Sequence, residues 1–354
     1  MKLLHWFGLL DMWRIDIIEK TWPPMYFFID ISLFFVSSCL RVLVAEFKPL
    51  FCCRSMKAII RFLTAWCSRL SFEAAMKWGR RLGWLLGTLL RYRRAEVFQT
   101  IRRCFPEKNA VEVRAVADGM YLNLGLYIVE MMRMETLDRE WLERHVEVKG
   151  LEIVREALKQ GKGAIMLTAH VGNFELPALI AGHFGIPITV ITKTIKPAAL
   201  HDYWTASRSR FGVKPVPRRG TLRACLAVLK ANEMLGFILD QNMKRQHGIF
   251  VEFFGRPACT SPGLAFISAM SGSPVIPVFN TRRPNGSHCV EIMPALPPPP
   301  DRKTETIHQA TQSYTAIIES VIRQHPDQWI WIHRRWRTQP LPESSPEDQP
   351  AVEC

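Results

Sequence analysis

The chain has 354 residues, 48% of them hydrophobic, which is enough for one large α/β domain or two modest ones and excludes disorder as the main state. Its formal net charge of +14 points to an anionic partner, and its eleven tryptophans favour a membrane interface over nucleic acid. The nine cysteines include no C-x-x-C pair, which argues against a disulfide framework and against a zinc site.

Residues 1–55 are predicted to be an N-terminal extension that contains a transmembrane helix at 25–44. This segment is apolar apart from Asp30 and Arg41, and it is long enough to cross the hydrocarbon core of a bilayer. Basic residues are more numerous after it than before it, so the positive-inside rule places the rest of the chain in the cytoplasm. A signal peptide is the alternative, but the long leader fits it poorly. Translation from Met56 would omit the extension.

Residues 59–91 are predicted to form amphipathic helices with basic faces. Trp66, Trp78 and Trp84 stand among arginines in this stretch, a pattern typical of helices that lie in a membrane interface. Packing against the catalytic core is the other interpretation, and the two are compatible. A longer helix at 111–134 has apolar residues at helical spacing and is predicted to belong to the core.

From His145 onward, short apolar strands alternate with helices. This order predicts an α/β fold with a mixed, mostly parallel central sheet flanked by helices, and the turn at Asn285 and Gly286 adds an antiparallel hairpin. The predicted strands are 146–148, 164–168, 188–192, 213–216, 235–239, 250–254, 275–279 and 288–293. The predicted helices are 151–159, 175–184, 198–210, 222–230, 262–270 and 305–324. Residues 56–337 thus form one domain, and the acidic, Pro/Ser-rich residues 338–354 a disordered tail.

A candidate catalytic histidine, His170, follows the strand at 164–168. Ligands of open α/β sheets bind beyond the carboxyl ends of the strands. A histidine in that position can act as a general base if a carboxylate fixes its tautomer and stabilises the imidazolium ion. Glu175 is five residues away, which is the wrong spacing for one helical face, so the two can meet only if the turn at Gly172 folds back. A histidine that merely caps a helix is an equally good interpretation at this point.

Two further polar groups are predicted at the same edge of the sheet. Arg218 and Arg219 precede the helix at 222–230, where they are candidates for holding a phosphate. Asp240 and Gln241 follow the apolar strand at 235–239 and are candidates for positioning a substrate hydroxyl or an arginine. Ordinary solvated turns are the alternative for both groups.

Two aromatic segments allow more than one interpretation. The loop predicted at 253–260 begins with two phenylalanines, which could border an acyl groove or simply pack in the core. Residues 328–337 interleave aromatic and basic side chains, a pattern typical of surfaces that stack single-stranded nucleic acid or meet an anionic lipid interface. The membrane-like N-terminal half of the chain favours lipid.

The ordered set of motifs resembles the bacterial late lipid A biosynthesis acyltransferases of the lauroyl and myristoyl type, over about residues 56–337. The stretch His-Val-Gly-Asn-Phe-Glu that begins at His170 is similar to the H-x4-D/E motif of that superfamily. Further matching segments are Cys-Phe-Pro-Glu at 104–107, Asp-Gln at 240–241, the stretch 253–260, Pro-Val-Ile-Pro at 274–277 and Gln-Trp-Ile-Trp-Ile-His-Arg-Arg-Trp at 328–336. The chain departs from the family in its extension before Met56 and in Phe174, where tryptophan is usual.

The resemblance implies a glycerolipid acyltransferase-like fold and a role for each candidate residue. The implied catalytic residues are His170 as general base and Glu175 as its partner. The implied substrate-binding residues are Asn173, which would support the turn, and Arg219, Asp240 and Gln241. No cofactor, metal or covalent acyl-enzyme is required.

The resemblance also implies an enzyme of the cell inner membrane whose catalytic domain faces the cytoplasm. It would move a fatty acyl chain from acyl carrier protein to a hydroxyl of a phosphorylated lipid A precursor. The acidic carrier protein, the glycolipid and an anionic membrane would account for the positive charge, and no nucleic acid is expected. One alternative is an acyltransferase for another lipid, either a glycerophospholipid or a glycolipid. A second, of a different class, is a non-catalytic membrane-associated nucleic-acid-binding protein. Coenzyme A remains open as the donor.

Overall fold

The computed structural model of the chain describes residues 53–192, 198–216 and 221–341. The predicted transmembrane segment 25–44, the candidate residues Arg218 and Arg219, and residues 342–354 of the predicted tail lie outside the described residues. Within those three ranges, no helix combines the length and the apolar character that crossing a bilayer requires.

Most of the predicted elements are present with small shifts at their ends. The helices are α1 (Cys53–Ser68), α2 (Phe72–Trp84), α3 (Arg94–Cys104), α4 (Ala110–Met132), α5 (Arg139–His145), α6 (Leu151–Lys159), α7 (Leu176–His183), α8 (Ala198–Ser209), α9 (Thr221–Lys230), α10 (Gly263–Ser271) and α11 (Thr304–Gln324). The strands are β1 (Val146–Lys149), β2 (Ala164–Thr168), β3 (Ile188–Ile191), β4 (Lys214–Val216), β5 (Met234–Ile238), β6 (Ile249–Phe253), β7 (Arg256–Thr260), β8 (Val275–Arg282) and β9 (His288–Ile292).

The central sheet has seven strands in the order β1-β9-β8-β2-β5-β3-β4. All neighbouring pairs are parallel except β8 and β9, so the predicted mixed, mostly parallel sheet is confirmed. Every residue of β2 is buried, as expected for a strand that helices cover on both faces. The register of β2 and β5 pairs Thr168 with Ile238, and the two strands therefore end side by side.

The helices α2 and α4 pack closely because glycines face the partner helix. A Cβ atom on Gly83 would lie 2.3 Å from the carbonyl oxygen of Tyr121, and one on Gly125 would lie 2.2 Å from that of Gly79. Only glycine permits backbones to approach this closely. The long helix α4 starts with a capping box formed by Asn109 and Glu112. Its last turns are buried, so α4 joins the N-terminal helices to the interior of the α/β domain.

The stretch 253–260, predicted as a loop, is instead part of an antiparallel hairpin in which β6 pairs with β7. Phe254 and Gly255 form its turn with φ values of +54° and +66°, the pair of left-handed conformations that a tight hairpin requires. The turn was missed because Phe254 occupies a position where asparagine or glycine is usual. Its ring is buried against Phe105 and Trp331, which compensates for the strained backbone.

The aromatic residues of the C-terminal segment are in the core, so the predicted lipid or nucleic-acid surface at 328–337 is wrong. Trp329 and Trp331 are each 1% exposed, and their rings pack against each other and against the phenylalanines of the β6–β7 hairpin. Stacking of bases or insertion into lipid needs exposed rings. The predicted disorder from residue 338 also begins too early, because Thr338 donates its backbone N–H to Asn242 and its hydroxyl to the carbonyl of Met243.

Candidate active site

The carboxyl ends of β2 and β5 bring His170 and Asp240 together. Each residue lies two positions beyond the paired strand ends Thr168 and Ile238. The Nδ1 atom of His170 is 2.7 Å from Oδ1 of Asp240, and the backbone N–H of His170 donates to Oδ2 at 2.9 Å. Both side chains are only 2% exposed. The two sequence candidates form a buried histidine–aspartate pair.

Asp240 is held as a carboxylate. Burial by itself would raise the pKa of this carboxyl, but the neighbouring His170 ring and hydrogen bonds from His170 and Trp329 outweigh it and hold the pKa below the ordinary 3.8. The indole Nε1–H of Trp329 donates to Oδ2 at 2.7 Å. An ionised acceptor at Nδ1 fixes the proton of the imidazole on that nitrogen. The other nitrogen, Nε2, then carries the lone pair that a general base needs, and the side-chain amide of Gln241 lies 3.4 Å from it.

Glu175 does not take the position expected for it beside His170. In the described part of the chain its carboxylate is bound by Arg208 of α8, whose Nε donates at 2.8 Å and whose Nη2 donates at 2.6 Å. This two-bond arrangement is the strong form of an arginine–carboxylate pair. Asp240 therefore occupies the position expected for Glu175, and the turn does not fold His170 back onto Glu175.

Asn173 makes two hydrogen bonds at the turn between β2 and α7. Its side-chain oxygen accepts the backbone N–H of Glu175 at 3.2 Å, and its amide donates to the carboxylate of Glu130 at 2.9 Å. Glu130 also accepts two hydrogen bonds from Arg282 and lies 3.3 Å from Nε2 of His288. Burial alone would raise the pKa of Glu130, but the charge of Arg282 lowers it below the ordinary 4.5, with His288 contributing.

Gly172 allows the same turn to pass close to β8. It has φ of +55°, and a Cβ there would lie 2.5 Å from the carbonyl oxygen of Asn280. The backbone of the C-terminal segment closes the turn from the other side. Gly172 donates its N–H to the carbonyl of Gln328 at 3.0 Å, and Ile330 donates its N–H to the carbonyl of His170 at 3.2 Å.

A cation and a second histidine lie close to the pair. Arg335 is 1% exposed and donates to the carbonyl of Cys259 at 2.8 Å and to the hydroxyl of Thr260. Burial lowers the pKa of Arg335 to about 10, with Asp240 acting in the opposite direction. Burial also lowers the pKa of His333 to about 3, again opposed by Asp240 and reinforced by Arg335 and His170. At neutral pH, His333 is therefore uncharged and Arg335 is charged.

Sequence reasoning missed several residues of this site. Arg208 lies in a correctly predicted helix, but no local pattern distinguishes it from the other arginines. Trp329 was noticed only as part of an aromatic and basic run. Glu130 lies on a helix whose apolar spacing was the only signal used, and a lone carboxylate among apolar residues could have marked it. Within the described ranges, no group of three or more His, Cys, Asp or Glu side chains is arranged to hold a metal ion.

The fold and site define an α/β protein with a buried histidine–aspartate pair at the carboxyl edge of its sheet, where ligands of such sheets bind. Comparison with known proteins then identifies the family. The model of the family described as "Bacterial lipid A biosynthesis acyltransferase" matches residues 49–338, and the chain belongs to this family. The resemblance seen in the motifs is confirmed, and the protein is an acyltransferase.

Several curated relatives match most of the chain. The lipid A biosynthesis lauroyltransferase of Escherichia coli K12 is 29% identical over 269 residues, covering 73% of this chain and 85% of that protein. A lipid A biosynthesis acyltransferase of Haemophilus influenzae is 25% identical over 259 residues, covering 73% and 80%. The E. coli myristoyltransferase is 23% identical over 266 residues, covering 75% and 82%.

A similar solved structure is the 1-acyl-sn-glycerophosphate acyltransferase PlsC from Thermotoga maritima. It is 12% identical, covers 72% of this chain and 96% of its own, and has a TM-score of 0.34.

Proposed function

We propose that this chain transfers a fatty acyl chain from acyl carrier protein to a hydroxyl of a lipid A precursor, with His170 as the general base. Membership in the family supports acyl transfer onto lipid A. The observation that carries the catalytic role is the contact between Nδ1 of His170 and the ionised Asp240 at 2.7 Å, because it leaves Nε2 as the proton acceptor.

In the proposed reaction, Nε2 accepts the proton of the acceptor hydroxyl while the hydroxyl oxygen attacks the thioester carbonyl. The imidazolium ion that forms is stabilised by Asp240. When the tetrahedral intermediate collapses and the carbon–sulfur bond breaks, the imidazolium returns its proton to the leaving thiolate. The base is thereby restored without an acyl-enzyme. A positioned general base of this kind typically contributes about 10²–10⁴ in rate.

The other site residues have supporting roles in this proposal. The amide of Gln241 is close enough to Nε2 to donate a hydrogen bond to a reacting oxygen. Glu175 acts through its ion pair with Arg208 rather than on the histidine ring. Asn173 holds the turn on which His170 lies. Arg219 remains a candidate for the phosphate of the glycolipid.

The net charge of +14 supports the proposal that both substrates and the membrane surface are negatively charged. Acyl carrier protein is acidic, and the lipid A precursor is phosphorylated. Opposite charge on enzyme and partner accelerates their encounter. The positive charge therefore fits acyl carrier protein as donor and the phosphorylated precursor as acceptor.

The helices α1 and α2, together with the short π-helix Leu85–Leu89 that continues α2 and the residues just after it, support membrane association. We therefore include membrane association in the proposal, at the cytoplasmic side of the inner membrane. Large apolar side chains are exposed in this part of the chain, and they are Phe62 (70%), Trp66 (37%), Trp78 (42%), Trp84 (55%), Leu89 (64%) and Leu90 (47%). Arginines 61, 69, 80, 81 and 91 are exposed in the same part of the chain. Exposed rings together with basic side chains are typical of helices that bind an anionic bilayer surface.

The catalytic proposal is tested with purified full-length protein in detergent, radiolabelled acyl carrier protein thioester and a lipid A precursor. We expect His170→Ala to reduce transfer by at least 100-fold and His183→Ala, at the end of α7, to leave it unchanged. Full activity of the His170 variant would overturn the assignment of the base. If mass spectrometry shows the label on a glycerophospholipid and not on the precursor, the acceptor is wrong.

Membrane association is tested by sedimentation with vesicles that contain phosphatidylglycerol. We expect Phe62→Ser, Trp84→Ser and Leu89→Ser, combined in residues 53–354 without the predicted transmembrane segment, to reduce binding by at least tenfold. Val111→Ser removes another exposed apolar side chain, 77% exposed at the start of α4, and serves as the control. Equal binding by the triple variant and the control would contradict the proposed surface.

A further inference from the structure

The carboxylate of Asp240 has three hydrogen-bond donors, and only one of them is the ring that it orients. Oδ1 accepts from Nδ1 of His170, whereas Oδ2 accepts from the backbone N–H of His170 and the indole N–H of Trp329. The two donors on Oδ2 prevent the carboxylate from rotating about its Cβ–Cγ bond. Its orientation towards the imidazole therefore depends on Trp329, a residue 89 positions away in sequence.

Trp329 is itself held firmly from two directions. Its backbone forms an antiparallel bridge with Val171, and the next residue donates its N–H to the carbonyl of His170. Its ring is 1% exposed and packs edge-on against two other rings. The ring centroids are 4.6 Å apart for Trp331 and 5.8 Å apart for Phe253. Because one short segment contacts both His170 and Asp240, it fixes the two members of the pair relative to each other.

We propose that Trp329 is a positioning residue for acyl transfer, whose indole N–H holds Asp240 in the orientation that keeps the proton of His170 on Nδ1. This inference rests on the proposed function of His170. Without the indole donor, Oδ2 would retain only a backbone N–H, and a desolvated carboxylate oxygen with unsatisfied lone pairs turns towards any other donor. The imidazole would then populate both tautomers, and Nε2 is unprotonated in only one of them.

The neighbouring charges do not replace the indole. Arg335 directs its guanidinium to the carbonyl of Cys259 and the hydroxyl of Thr260, Arg208 is paired with Glu175, and His333 is uncharged at neutral pH. Among the described residues, none of these three side chains makes a hydrogen bond to Asp240. The indole contact is thus a separate element of the site.

Trp329→Phe removes the N–H and keeps an aromatic ring. The matched control is Trp331→Phe, since Trp331 belongs to the same ring cluster and is equally buried but donates its N–H to the carbonyl of Pro326 at 2.6 Å. Benzothienylalanine at position 329 provides a second variant that has the shape of tryptophan without the donor. It covers the case in which the smaller phenylalanine leaves a cavity and reduces folding.

Two measurements separate positioning from a purely structural role. We expect kcat to fall by at least tenfold in both 329 variants with KM unchanged, and to stay within twofold of wild type in Trp331→Phe. In full-length protein labelled with ¹⁵N-histidine, the ring signals assigned with His170→Gln should show the proton on Nδ1 in wild type and Trp331→Phe. A mixture of tautomers should appear in the 329 variants.

The outcomes distinguish this inference from the function on which it rests. If benzothienylalanine at 329 leaves both kcat and the tautomer unchanged, the positioning role is overturned. If wild type transfers no acyl chain but its tautomer still responds to the 329 variants, the proposed function fails while the structural relation stands. Loss of activity through KM alone, with the tautomer unchanged, would assign Trp329 to substrate binding and would also overturn the inference.

Discussion

Glu130 of α4 and Arg282 of β8 form a two-bond ion pair next to the turn between β2 and α7, and Asn173 of that turn binds the same carboxylate. Both charged residues are buried, at 9% and 8% exposure. Removing one member of a buried pair leaves an uncompensated charge, which typically costs about 3–5 kcal/mol. The pair therefore links α4, which packs against the N-terminal helix α2, to the turn that contains His170 and Asn173.

We expect Glu130→Gln to lower the free energy of unfolding by about 3 kcal/mol at pH 7. The folded pKa of Glu130 lies below the ordinary 4.5, so its stabilising contribution is present above that pH and is lost as the pH falls towards the folded value. In urea unfolding in detergent, the difference in unfolding free energy between wild type and variant should be smaller at pH 4 than at pH 7. Glu140→Gln, on the exposed surface of α5, is the control. A gap that is constant with pH would contradict this explanation.

Glu175 and Arg208 should behave as one unit in catalysis. Glu175→Gln and Arg208→Lys each break the two-bond pair, because lysine is a point charge without the planar fork of arginine. We expect each to reduce acyl transfer about 100-fold, the scale of a small displacement in an active site. The double variant should lose no more than the worse single variant. Arg210→Lys, on a guanidinium that binds the carbonyl of Glu135, should be neutral. Additive losses in the double variant would show that the two residues act independently.

Comparing Gly172→Ala with Gly185→Ala separates the cost of a steric collision from the cost of backbone strain. A Cβ at this position meets the carbonyl of Asn280 at 2.5 Å, whereas Gly185 has a similar φ of +71° with nothing within 4 Å of its Cβ. Gly185→Ala should cost about 1 kcal/mol through strain alone. Gly172→Ala should cost at least twice as much and abolish acyl transfer, as measured by thermal unfolding and by the activity assay. Equal losses of stability and activity in the two variants would exclude a role for the contact with Asn280.

His333 should make stability fall on acidification. Its folded pKa of about 3 lies below the ordinary 6.5, so between these values the unfolded chain binds more protons than the folded one. The stabilising effect of the uncharged ring is complete above pH 6.5 and is lost as the pH falls towards 3. We expect His333→Asn to reduce the slope of unfolding free energy against pH by up to about 1.4 kcal/mol per unit in this window. His183→Asn serves as the control, and parallel curves for wild type and His333→Asn would refute the expectation.

The strands and their polar ends were predictable from the sequence because a buried strand appears as a short run of apolar residues. The apolar runs before His170 and Asp240 identified β2 and β5, and the rule that ligands bind at carboxyl edges then marked both residues. That β2 and β5 are neighbours was not predictable from local pattern, since strand order depends on long-range packing. Consequently local spacing favours Glu175, the nearer carboxylate in sequence, as the partner of His170, whereas the structure pairs His170 with Asp240.

The C-terminal segment shows a different limit of sequence reasoning. Alternating tryptophans and arginines are compatible with a membrane surface, a nucleic-acid surface or a core in which guanidinium groups bind carbonyls. The structure realises the last, with Arg335 on the carbonyl of Cys259 and Trp329 on Asp240. Composition alone does not distinguish these cases, because each uses the same side-chain chemistry in a different solvent environment.

The contacts that Gln328 and Trp329 make with the turn between β2 and α7 have a consequence for biosynthesis. A nascent chain that has emerged from the ribosome as far as β9 already contains His170 and Asp240. It lacks the backbone that binds the turn at Gly172 and the indole that donates to the carboxylate of Asp240. If Trp329 positions Asp240 as we propose, translation must proceed past position 329 before the enzyme can become active. By then, the helices that we propose to meet the bilayer have long been free of the ribosome, so the chain can reach its membrane before it can act there.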